Sequence, residues 1–195
     1  MATQDQLVGY FSDIAAAVDI PIVLYDNPVL TKNPLQPETV AEVRRKIPTV
    51  AGIKVSDQDC IKLQTLLNLV KDDPGFPVLT GSEFLIVVAM QMGCAGFVGG
   101  LHNICPDLAV ALYESFRAGD VERARQLQQD IIATWNLFRY GNIWGAFDEA
   151  LRYLGIWERA TGKPYVTQMS EGNRQAVRNI LDAYVKPYLR APVER

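Results

Sequence analysis

Apolar residues recur at helical spacing from the start of the chain. Leu7, Tyr10, Phe11, Ile14 and Val18 predict an amphipathic helix over residues 4–18. The run IPIVLY (20–25), stopped by Asn27-Pro28, has the continuous apolar character of a strand buried on both faces. Pro37 and Glu38 open a second helix that Pro48 ends, and TVAGIKV (49–55) is the next strand. Ser56 and Asp57 are placed to cap a helix running to Lys71. FPVLT (76–80), a helix over 83–92 and AGFVGG (95–100) complete four β-then-α units. Such alternation predicts a parallel sheet covered by helices.

After Pro106 the strand pattern stops. Helices are predicted at 106–118, 121–139, 143–156 and 171–189, with breaks at Gly119-Asp120, Gly141 and 162–170. No Ser/Gly-rich linker separates the halves, so residues 1–105 are expected as a β/α unit with the helical region 106–195 packed on it. The pattern alone leaves two architectures open: a small doubly wound sheet, or part of a (β/α)8 barrel, which takes about 250 residues when complete.

Composition narrows the function classes. The 195 residues are 49% apolar and 21% charged, with a net charge of -3, which fits a globular domain and excludes a disordered one. No block of like charge points to nucleic acid. The longest apolar run, Phe84 to Met90, is far short of the roughly 20 residues of a membrane span. The N-terminal segment lacks the basic n-region of a signal peptide. Cys60, Cys94 and Cys105 form no CxxC or Cys/His spacing, so neither a disulfide framework nor a zinc site is expected. These features predict a cytoplasmic protein without metal or cofactor.

Two strands end in groups with a chemical use, Tyr25 and Lys54. In parallel β/α folds the site lies at the carboxyl ends of the strands. A lysine there can attack a carbonyl to form a Schiff base, and a tyrosine can move the protons. By spacing alone, a solvated lysine and a rim-packing tyrosine account for the same residues. Gly81, Gly96, Gly99 and Gly100 suit either phosphate-binding loops or close packing, and no dinucleotide or P-loop motif occurs. His102, the single histidine, reads as a structural or rim residue, and Asp57 and Asp59 as helix caps. The aromatic residues of 135–154 recur at helical spacing, as packing or interface anchors do.

In order along the chain, IPIVLYDNP (20–28), VAGIKVSDQD (50–59), VLTGSE (78–83) and GCAGFVGGLHNICP (93–106) resemble the dihydrodipicolinate synthase / N-acetylneuraminate lyase family of class I aldolases. RAGDVERARQLQ (117–128) and EALRYLGI (149–156) extend the likeness over nearly the whole chain. The resemblance implies an α/β fold, a partial (β/α)8 TIM barrel of the last four β/α units followed by a C-terminal helical bundle. It implies that Lys54 forms an imine with pyruvate or another 2-oxo acid, and that Tyr25 is the proton-shuttling tyrosine. Gly96, Phe97 and Val98 would line the substrate with backbone groups, in a homo-oligomer needing no cofactor. Two departures stand out. Asp26 follows the tyrosine where asparagine is more usual, which implies a change in substrate preference or in the bonding around Tyr25. The family's N-terminal half, with its carboxylate-holding segment, has no counterpart. The other reading is therefore a truncated, inactive half-barrel fragment persisting as an oligomer or binding module. A flavodoxin-like domain needs a phosphate-binding first turn, which residues 25–32 do not supply.

Overall fold

A computed structural model describes residues 1–158 and 169–190. It divides into two compact units, one spanning Met1–Gly99 and the other beginning at Gly100.

The first unit is an α/β layer. Helix α1 (Gln4–Ala17) opens with a capping box, in which Thr3 and Gln6 satisfy each other's backbone N–H groups. Four strands follow: β1 (Ile22–Asp26), β2 (Val50–Val55), β3 (Val78–Thr80) and β4 (Gly96–Phe97). They pair in that order, all parallel. The connections carry α2 (Pro28–Thr31), α3 (Pro37–Lys46), α4 (Cys60–Val70) and α5 (Ile86–Met92). Leu24, Ile53, Val55 and Val78 enter one core with Val40 and Val43 of α3 and Leu63, Leu66 and Leu67 of α4. Burying such side chains, at about 1.5–3 kcal/mol each, drives the layering.

The structure alters several expectations. β1 was expected to be buried on both faces, yet Val23 and Tyr25 are 57% and 48% exposed while Leu24 and Asp26 are buried. Helices cover one face of this strand, and the alternation of side chains sends the other residues to the opposite face. β4 keeps only two residues of the six-residue apolar run. Ser56 and Asp57 do not cap α4. Asp59 does, its carboxylate accepting the N–H groups of Ile61 and Lys62 at 2.9 and 3.1 Å. The single-turn α2, capped by Asn27, lies where only a break was expected.

The second unit is helical: α6 (Pro106–Arg117), α7 (Val121–Trp135), α8 (Ile143–Tyr153) and α9 (Glu171–Tyr184). α6 packs on α7, and α9 on both α7 and α8. Leu108, Leu112, Leu127, Ile131, Val177 and Leu181 are fully buried. Glu149 of α8 is buried between Arg174 and Arg178 of α9, at 3.2 and 2.8 Å. The predicted 121–139 helix ends earlier, because residues 136–140 tighten into a 3-10 turn. Most of the predicted 162–170 break lies outside the described residues. No described helix is long and apolar enough to cross a membrane.

Candidate active site

Strand register brings the two candidate residues together. Tyr25 of β1 is the cross-strand partner of Lys54 of β2, Lys54 of Leu79, and Leu79 of Gly96. Partners in a parallel ladder share a face, so Tyr25, Lys54 and Gly96 lie in one row along the sheet. The Lys54 Nζ stands 4.3 Å from the centre of the Tyr25 ring, within cation–π range. Phe97 belongs to the next row, paired with Thr80, and its side chain takes the opposite face. Val98 follows the strand, donating its N–H to the Thr80 carbonyl at 2.9 Å.

The Tyr25 hydroxyl is held by two residues that the sequence pattern marked only as a strand stop and a helix cap. The Asn27 side-chain amide donates to it at 3.0 Å, and the Ser56 hydroxyl at 3.2 Å. Asn27 has a second task, because its carbonyl oxygen caps α2. The turn that ends β1 thereby also aims the amide at the phenol. Partial burial pushes the Tyr25 phenol up, but hydrogen bonds from Ser56, Lys54 and Asn27 and the Lys54 charge outweigh it. The phenol lies below its ordinary value.

Gly81, just after β3, gives the site its room. A Cβ there would lie 2.0 Å from Ser56 Oγ and 2.8 Å from Lys54 Cε. The Gly81 N–H is tied to the Val55 carbonyl at 2.7 Å, so its backbone stays close. At Gly99 a Cβ would meet the Glu83 carboxylate, with Oε1 at 2.6 Å. Glycine at these two positions admits a neighbouring side chain against the backbone, a signal that composition and periodicity do not carry. His102 sits in a 3-10 turn of the second unit, half-buried. Among the described residues no cluster of His, Cys, Asp and Glu could hold a metal.

A lysine amine beside a phenol with two converging donors can add to a carbonyl and pass protons through the phenol. The chain is 35% identical over 129 residues to a 4-hydroxy-tetrahydrodipicolinate synthase of Methanopyrus kandleri, covering 66% of this chain and 42% of that protein. It is 39% identical over 149 residues to an uncharacterized DapA-like lyase of Halobacterium salinarum, covering 76% of this chain and 48% of that one. The chain thus spans less than half the length of these curated relatives. Among solved structures, dihydrodipicolinate synthase from Bacteroides thetaiotaomicron superposes with a TM-score of 0.84 at 25% identity, over 94% of this chain and 62% of that one. The Escherichia coli prophage protein YagE, solved with pyruvate, gives a TM-score of 0.84 at 22% identity, with the same coverage of 94% and 62%. The family model described as the dihydrodipicolinate synthetase family matches residues 1–184, and the chain belongs to that family.

Proposed function

We propose that the chain carries the Schiff-base half of a lyase that acts on pyruvate or another 2-oxo acid. The observation that carries this reading is the pairing of Lys54 with Tyr25, ammonium over ring at 4.3 Å, with Ser56 and Asn27 donating to the phenol. The Lys54 amine adds to the 2-oxo carbon, giving a carbinolamine. Its hydroxyl leaves as water after Tyr25 supplies a proton, and an imine remains. A phenol below its ordinary value is a better acid for that step. The Tyr25 phenolate then takes a C3 proton from the protonated imine, giving an enamine, the intermediate that attacks in aldol addition, is released in cleavage and expels the leaving group in dehydration. Gly96, Phe97 and Val98 are read as the backbone lining of the substrate.

In this reading the sheet is the last four β/α units of a (β/α)8 barrel, followed by a C-terminal helical bundle. The assembly is a homo-oligomer, and the three free thiols suit a reduced, cytoplasmic setting. The test is borohydride trapping with pyruvate, read by intact mass and peptide mapping, with Lys54→Ala as control. A reduced adduct on Lys54, absent from the control, is the expected result. No adduct at high pyruvate overturns the reading and leaves a half-barrel fragment of family ancestry without its chemistry.

A further inference from the structure

Asp26 ends β1 with its side chain on the face opposite Tyr25. It is 2% exposed. Its Oδ1 accepts the Leu35 N–H at 3.0 Å, and its Oδ2 lies 2.6 Å from Lys62 Nζ. Lys62, in the first turn of α4, also reaches Asp57 Oδ2 at 3.0 Å. Asp57 stands in the loop after β2, one residue beyond Ser56. A buried carboxylate without partners is strongly unfavourable, and here an ammonium and a backbone N–H supply them.

The same two segments carry the hydroxyl cluster on the other face. Ser56 donates its backbone N–H to the Asp26 carbonyl at 2.9 Å and its hydroxyl to Tyr25 at 3.2 Å. One ammonium thus ties the residue after Tyr25 to the residue after Ser56.

We infer that Asp26, Lys62 and Asp57 are positioning residues: a charged clamp beneath the site that fixes the end of β1 against the loop after β2. It keeps the Ser56 and Tyr25 hydroxyls in contact beside Lys54. The aspartate after the tyrosine acts here from under the sheet, through Lys62. The catalytic consequence rests on the function proposed above; the geometric part does not.

A clamp and a merely stabilising ion pair predict opposite shifts at Tyr25. In Asp57→Ala, removal of a negative charge by itself makes the phenol easier to ionise, whereas release of the hydroxyl donors makes it harder. The full chain is labelled with 13Cζ-tyrosine, and the Tyr25 signal is assigned by its loss in Tyr25→Phe. We expect Tyr25 to titrate higher in Asp57→Ala by about half a pH unit. Lys62→Met is expected to move it in the same direction. Asp57→Asn, which keeps an oxygen for Lys62, should stay near wild type. With pyruvate and borohydride, the rate constant for trapping at Lys54 should fall roughly tenfold in Asp57→Ala, with half-saturation changed less than twofold. An unchanged or lower Tyr25 titration in Asp57→Ala overturns the clamp, as does an unchanged trapping rate in a chain whose wild type forms the adduct. If the wild type forms no adduct, the reading of Lys54 falls, and the Tyr25 titration still decides the clamp.

Discussion

Lys54 and Tyr25 are partners across β1 and β2, and the lysine ammonium lies 4.3 Å from the centre of the tyrosine ring. The ring packs against the lysine, and its hydroxyl accepts hydrogen bonds from Asn27 and Ser56 at 3.0 and 3.2 Å. Ring and hydroxyl therefore have separable tasks.

Tyr25→Phe separates them. The ring stays beside Lys54, the side chain is half exposed, and no core contact is lost, so the melting temperature should change little. In the proposed mechanism this removes the proton route, so the rate of pyruvate trapping at Lys54 should fall by about a hundredfold. Comparing borohydride-trapped mass against time in the two proteins checks this. A trapping rate equal to wild type contradicts a role for the hydroxyl.

Gly81→Ala should disable the site without unfolding the sheet. The new methyl group falls on Ser56 Oγ and the Lys54 stem, both of which can rotate away. Rotation costs on the order of 1 kcal/mol of stability and breaks the Ser56–Tyr25 hydrogen bond. Calorimetry should show a small loss, and Tyr25 should titrate higher than in wild type. A large fall in stability would show that Gly81 serves packing more than the site.

The ion cluster under the sheet has its own pH signature. Burial alone would lower Lys62, but its bonds to Asp26 and Asp57 outweigh this and hold it above the ordinary lysine value. Burial alone would raise Asp57, but Lys62 and nearby backbone N–H groups hold it below the ordinary aspartate value. The Lys62 contribution is full below about pH 10 and is lost as pH rises through its raised value. The Asp57 contribution is full above about pH 4 and is lost as pH falls through its depressed value. The melting-temperature difference between wild type and Asp57→Ala should therefore be flat from about pH 4 to 10 and shrink on the acid side. A difference that changes steadily across neutral pH contradicts this assignment.

Thiol reactivity reads the packing of the first unit. Cys94 is 6% exposed, and burial pushes its thiol up to about 11, so little thiolate forms at pH 8. Cys105 is also buried, whereas Cys60, at the start of α4, is partly exposed. Alkylation with iodoacetamide, followed by peptide mass, should label Cys60 first and the other two only on unfolding. Early labelling of Cys94 would place α5 and β4 in a looser arrangement.

The sequence by itself determined the alternation of elements. Runs such as IPIVLY and AGIKV exclude water on one face at least, and the proline and glycine breaks between them set the helix and strand limits within a few residues. Tyr25 and Lys54 were legible as strand-end groups, and the ordered motifs were legible as those of a family. Periodicity could not say which strand face would stay open, because it depends on which helices pack where. Nor could it tie Asn27, Ser56 and Gly81, legible only as a strand stop, a helix cap and a loop or packing glycine, to Tyr25 and Lys54, because those roles come from neighbours at sequence distances of 2, 31 and 25 residues. Asp26 is the clearest case. Its position in the chain places it beside Tyr25, but the alternation of a strand sends its carboxylate to the opposite face, where Lys62 holds it 36 residues away. Local pattern decides which elements form, since it depends on near neighbours. Strand register and side-chain facing decide the site, and those exist only once the sheet has closed its long-range contacts.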